Sequence, residues 1–300
     1  MLSLIHKYKI CTYLLINEST FLIKDYMQYR SIYYFLSRYY CKSLECIFYG
    51  TNQCLFRSND ILYKISFDKS SDINNFRCNN FGIIYDVIQL ETGHILYILE
   101  FIKSMLSKEI IVKNMIVEPF ILLYSLTIDY MTALSILHKN NKIHCNVKPL
   151  NLMINNNIGK LVGLDDLVDI VPKDIYYYFT SGSIEYLAPE RYKYFKQNGF
   201  FGMTSIYSDI WELFYSILCI IDVIDVDEFF YLLYNNDTLL EFYILNRIVK
   251  VFRLELSNTI MVLVSKYVNL CILGLSMCPL KRNNANYYLE KLIGYRNIVC

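Results

Sequence analysis

The residues best suited to chemistry stand close together in positions 142–154, which read Lys-Ile-His-Cys-Asn-Val-Lys-Pro-Leu-Asn-Leu-Met-Ile. This run offers an imidazole at His144, an ammonium at Lys148 and carboxamides at Asn146 and Asn151. A lysine can stabilise an anionic group such as a phosphate. Amide oxygens can accept hydrogen bonds or join the oxygen shell of a hard cation. A carboxamide carries no charge and cannot serve as a base near neutral pH. The bland alternative is a plain connector. A connector would not need a Lys-Pro pair with an asparagine three residues after the lysine.

The flanking runs suggest how such a loop would be held. In residues 121–138, Leu123, Leu126, Ile128, Met131, Leu134 and Leu137 recur near a 3.6-residue period, which predicts a helix. Leu152, Met153 and Ile154 predict a short buried strand. Residues 144–151 are therefore a helix-to-strand loop, and loops held between buried elements are where proteins tend to place reacting groups.

The loop resembles the catalytic loop of eukaryotic protein kinases, His-Arg-Asp-x-Lys-Pro-x-Asn, and the Lys-Pro pair is similar to the Ser/Thr type. Two departures touch its chemistry. Cys145 stands for the Arg, and Asn146 for the Asp that acts as base. Further along, Gly182-Ser183-Ile184-Glu185-Tyr186-Leu187-Ala188-Pro189-Glu190 is similar to the end of a kinase activation segment, Gly-Thr-x-x-Tyr-x-Ala-Pro-Glu. Ser208-Asp209-Ile210-Trp211-Glu212-Leu213 resembles the Ser-Asp-x-Trp-x-Leu of the central large-lobe helix, with Phe214 where a Gly usually follows. Pro279-Leu280-Lys281-Arg282 resembles the tail of Asp-Pro-x-x-Arg, with Cys278 for the Asp. The resemblance implies that Asp209 bonds the loop backbone and that Arg282 pairs with Glu190.

Upstream the likeness is thinner. Apolar runs at residues 47–49, 54–56 and 61–65 predict three strands, and residues 82–89 and 94–101 predict a hairpin. By the resemblance, Lys64 stands where the third-strand lysine contacts the α- and β-phosphates of ATP. On its residues alone, Lys64 is equally an exposed lysine on an edge strand. Gly50 is the one remaining glycine of a Gly-rich loop. The backbone at Glu100 and Ile102 takes the place of the adenine-binding hinge. The helix Glu that pairs with the third-strand lysine has no counterpart in residues 66–75, where Asp68 or Asp72 would be shorter substitutes. For the Mg²⁺ carboxylate, Asp165 or Asp166 aligns with the Asp of Asp-Phe-Gly, which makes Asn151 and Asp165 the metal ligands. A rival alignment puts Gly163 there and removes the ligand. Without the loop arginine, Thr180, Ser181 and Ser183 are not expected to serve as a phosphorylation switch.

Composition sets the outer bounds. The chain has 300 residues, 55% of them hydrophobic, which is enough for a large core. A net charge of +1 gives no electrostatic case for nucleic acid or an anionic membrane. Ten scattered cysteines without a Cys-x-x-Cys pair argue against a zinc site or a disulfide scaffold, and point to a reducing compartment, cytoplasm or nucleus. The N-terminal apolar stretch is short for a leader. The nearest approach to a membrane span, residues 260–277, is interrupted by Lys266 and Asn269.

The resulting expectation is an α+β, two-lobed, protein-kinase-like fold. An N-terminal extension at 1–40 packs on a small, mainly β lobe at 41–102, followed by a large, mainly α lobe at 103–300. The architectural residues of the resemblance persist while its chemical ones are depleted. The expected function is therefore that of a pseudokinase acting through a protein partner, with weakened ATP and Mg²⁺ binding. The alternatives are an atypical Ser/Thr kinase acting on protein substrates and a structural subunit without nucleotide.

Overall fold

The computed structural model describes residues 33, 36–38, 44–49, 53–66, 78–90, 94–114, 118–164, 167–170, 182–199, 204–235, 237–254 and 258–297. The chain is a mixed α+β protein: an antiparallel sheet comes first, and a mainly helical part follows. Contacts divide it into two compact units, Met1–Lys69 with Ile84–Phe101, and Ser70–Ile83 with Ile102–Cys300.

The first unit is built on five strands: β1 (Glu45–Tyr49), β2 (Gln53–Ser58), β3 (Ile61–Ser66), β4 (Ile84–Gln89) and β5 (Ile95–Glu100). Their order in the sheet is β1-β2-β3-β5-β4. Alternation dictates the buried face: Cys54, Phe56 and Ser58 point inward from β2 while Leu55 and Arg57 are half-exposed. Asn59, at φ 53°, makes the tight turn into β3, a conformation that asparagine tolerates well. Leu36, Cys54, Phe56, Tyr63, Ile65 and Leu96 form the core of the unit. Leu36 and Tyr33, the latter edge-on to Phe56 at 6.1 Å, bring the described part of the N-terminal extension onto this sheet. Because β3 lies between β2 and β5, Lys64 is on an interior strand, and the edge-strand reading is corrected.

In the second unit, β6 (Ser104–Met105) is followed by α1 (Lys108–Val112) and α2 (Pro119–Lys139). The Glu118 side chain caps α2 by accepting the Ile121 N–H at 2.8 Å. This helix buries residues on all sides, Phe120, Tyr124, Leu126, Tyr130 and Leu137 among them. It is also the one described helix long and apolar enough to cross a membrane by length and composition, a property the inspection of residues 260–277 overlooked. Two thirds of its apolar window is buried within the protein, as expected of a core helix.

After α2 come β7 (Lys142–Ile143), β8 (Leu152–Asn155), β9 (Ile158–Leu161) and β10 (Val168–Asp169). Strands β6, β8 and β9 form one small sheet, and β7 pairs with β10. Residues 78–82 run beside β9, with Phe81 bridging Leu161. The remaining helices are α3 (Pro189–Asn198), α4 (Ile206–Ile220), α5 (Val226–Asn235), α6 (Asp237–Phe252), α7 (Asn258–Gly274) and α8 (Ala285–Arg296). Helix α4 is buried from Ser208 to Leu218 and forms the spine of this unit.

Candidate functional site

Helix α4 places two carboxylates, Asp209 and Glu212, on adjoining positions of one face, both fully buried. The Asp209 carboxylate accepts the backbone N–H of His144 at 2.8 Å and that of Cys145 at 2.9 Å, and contacts His138 Nε2 at 2.9 Å. Glu212 accepts the Val147 N–H at 3.2 Å and pairs with Arg191. Arg191 in turn donates to the Cys145 carbonyl at 2.7 Å. His144 Nε2 meets the Val162 carbonyl at 2.9 Å, tying the loop to the chain just past β9.

This clamp explains an otherwise costly backbone. Cys145 has φ 67°, in the left-handed region that non-glycine residues seldom adopt. Such strain costs roughly 1–3 kcal/mol and persists where surrounding bonds over-determine it. Burial pushes the Glu212 carboxyl up to about 8, while the Arg191 guanidinium pulls the other way. Burial, with Asp209 adding to it, also raises the Cys145 thiol well above its ordinary range.

The clamp presents a half-buried polar cluster. Lys148 Nζ donates to Ser183 Oγ at 2.7 Å, and Ser183 Oγ lies 3.5 Å from Asn146 Oδ1, long for a hydrogen bond. Residues Pro149–Asn151 form a 3₁₀ turn. From it the Asn151 Nδ2 donates to the Asn146 carbonyl at 2.8 Å, and the Asn151 carbonyl accepts the Val162 N–H at 3.0 Å. Asn146, Lys148 and Asn151 are thus brought together.

The other expected site residues fall as follows. Lys64 is half-buried in mid-β3, opposite Leu55 and Tyr97. Glu100 ends β5 opposite Ile61, and Ile102 is buried in the second unit. Gly50, Asp165, Asp166 and residues 67–75 of the segment expected to lack the helix Glu lie outside the described residues, as do Thr180 and Ser181.

Gly163 is the residue set against Asn151. A Cβ there would stand 2.7 Å from Asn151 Nδ2 and 2.8 Å from Oδ1, and its φ of +80° suits glycine. Among the described residues no group of three His, Cys, Asp or Glu side chains could hold a metal ion. Asn151 offers a hard cation one neutral amide oxygen, and Asp165 and Asp166 lie outside the described residues.

Below the cluster, Glu190 and Arg282 are joined at two points, 2.8 and 2.9 Å. Ser208 Oγ donates to Glu190 at 2.9 Å, Arg282 donates to the Ser276 carbonyl at 2.8 Å, and the guanidinium lies 5.1 Å from the Trp211 ring centroid. Sequence reasoning missed Ser183 as a partner of Lys148, and missed the Arg191–Glu212 pair. The available signal was Glu212 itself, a charged residue on an apolar helix three positions after Asp209. No protein-family model matches the chain, and no curated protein matches it.

Proposed function

We propose that this chain is a protein-kinase-like protein, similar to the Ser/Thr type, that has lost efficient phosphoryl transfer and acts by binding a protein partner in a reducing cellular compartment. The observation that carries this reading is the contrast at the loop between 144 and 151. Its backbone is held by Asp209, Glu212 and Arg191, while the side chain at the position of the base is the neutral Asn146. Phosphoryl transfer depends on positioning and charge stabilisation, with a carboxylate to orient the hydroxyl and accept its proton. Asn146 can accept a hydrogen bond but not a proton. Lys148 can still face an anionic group. The described cysteines are free thiols, which suits a reducing compartment.

The test is transfer of labelled γ-phosphate from ATP to protein acceptors, for the parent and for Asn146→Asp. The parent is expected to be silent. Turnover by Asn146→Asp alone would identify one lesion; continued silence would identify several, and several are expected. Robust turnover by the parent, abolished by Lys148→Ala, would overturn the reading in favour of an atypical Ser/Thr kinase.

A further inference from the structure

We propose that helices α5 and α6 dock a basic segment of the partner protein, one that sets an arginine or lysine beside an apolar side chain. This deepens the reading that the chain acts through a protein partner, and it uses none of the residues of the loop between 144 and 151. Three of the five most exposed large apolar side chains among the described residues lie on this helix pair: Tyr231 and Tyr234 at 67% and Phe242 at 63%. Val226, the first residue of α5, is exposed as well. Exposed apolar residues scattered singly are ordinary; gathered on one pair of helices they mark a binding surface. Asp227, Tyr231 and Tyr234 stand at i, i+4 and i+7 and so share one stripe of α5. The other side of α5 is anchored: Phe229 and Leu233 are buried, and Phe229 packs on Tyr215 of α4 with ring centroids 5.7 Å apart. The start of α5 is tied to the middle of α6. The Asp225 N–H donates to the Tyr243 hydroxyl at 2.9 Å, and Arg247 meets Glu228 at 3.3 Å. The two helices therefore fold back on each other and hold their exposed aromatic rings on a fixed support. Aromatic anchors held in advance lose little conformational entropy on binding.

Charge decides the kind of partner. Residues 222–246 contain Asp222, Asp225, Asp227, Glu228, Asp237 and Glu241, and no Lys or Arg. Lys108 matches Asp222 at 3.1 Å, and Arg247 matches Glu228. Asp227 is exposed and has no ion pair among the described residues. A partner's arginine or lysine can pair with Asp227 and lie over the Tyr231 or Tyr234 ring, where cation–π attraction adds to the ion pair. The same pairing already occurs within the helix pair, with the Arg247 guanidinium 4.9 Å from the Tyr243 ring centroid. A second copy of this chain is the wrong occupant, because a two-fold contact would set the same acidic face against itself.

The experiment presents the full chain to a random peptide library displayed on phage, and then measures the selected peptides by fluorescence polarisation. The expected peptides carry Arg or Lys next to Leu, Ile, Val or Phe. They should bind at least about tenfold more weakly to the Tyr231→Ser/Phe242→Ser double variant, and likewise to Asp227→Lys. Their affinity should fall as salt is raised. The substituted side chains are exposed, so the variants are expected to fold. Leu280→Ser, which removes an equally exposed apolar side chain outside the helix pair, should bind the peptides as the parent does. Selection of acidic or uncharged peptides would overturn the proposal, as would selection of none. Equal binding of basic peptides to the parent and to the α5 and α6 variants would overturn it too. So would a dimer seen by sedimentation that the same variants dissolve, since the occupant would then be a second copy. None of these outcomes bears on phosphoryl transfer by the parent, which decides the reading of the loop separately.

Discussion

Glu190 and Arg282, 92 positions apart in sequence, face each other through a two-point ion pair at 2.8 and 2.9 Å. The Arg282 side chain is fully buried and that of Glu190 is 10% exposed. Removing one partner of a buried pair leaves a desolvated charge behind, at a cost of about 3–5 kcal/mol. Glu190→Ala and Arg282→Ala should each lower the unfolding free energy by about that amount in urea titrations. The double variant should lose less than the sum, because the second change removes the stranded charge. Single variants that unfold with the parent would show that the pair contributes nothing to stability.

What the sequence made legible follows from where its information is local. Helix α2 was readable because leucines at helical spacing need no partner to be recognised, and its observed span, Pro119–Lys139, includes the expected one. The same reading missed that α2 has the length and apolarity of a membrane span, because attention to one face hides burial on all sides. The Glu190–Arg282 pair and the bonds from Asp209 to the loop came from motif resemblance, not from pattern. The interior position of Lys64 was not legible: alternation marks which face of β3 is buried, but not that β5 will pair on its far side. Phe214 is a further case. It stands where the resemblance has Gly, and the structure admits it because Gly274 of α7 lies against its ring, where a Cβ would overlap. That compensation spans two helices and leaves no local signal. The Lys148–Ser183 bond likewise joins residues 35 positions apart.

The contact between Gly163 and Asn151 makes a second prediction, about stability. Gly163→Ala places a Cβ 2.7–2.8 Å from the Asn151 carboxamide and puts a side chain at φ +80°. Overpacking of this kind costs about 1–3 kcal/mol, and the left-handed backbone adds roughly another 1 kcal/mol. In the Asn151→Ala background the steric part should vanish and the backbone part remain. A double-mutant cycle read from thermal unfolding checks this. Equal costs of Gly163→Ala in both backgrounds would mean that the two side chains do not compete for space.

The third prediction concerns pH, and its sign follows from which state holds the protons. Burial raises Glu212 to about 8, and raises the thiols of Cys54 and Cys219 to about 12. Burial also raises Cys145 and Cys271, and Asp129, whose shift the Gly159 N–H partly opposes. In the unfolded chain a glutamate titrates near about 4.3 and a cysteine near about 8.5. A group whose folded value lies above its unfolded value contributes stability that is complete below the unfolded value and is lost as pH rises toward the folded one. Glu212 therefore weakens the fold from about pH 4.3 up to about 8, and the buried cysteines take over above about 8.5. Unfolding free energy, measured in urea under reducing conditions, should decline from mildly acidic to alkaline pH and steepen in the alkaline range. Glu212→Gln, which resembles the protonated acid, should change stability little at acidic pH and flatten the limb between about pH 4.3 and about 8. Cys54→Ala should flatten only the alkaline limb. A stability that rises from mildly acidic to alkaline pH would contradict the argument, because it would require the unfolded chain to hold more protons than the fold does.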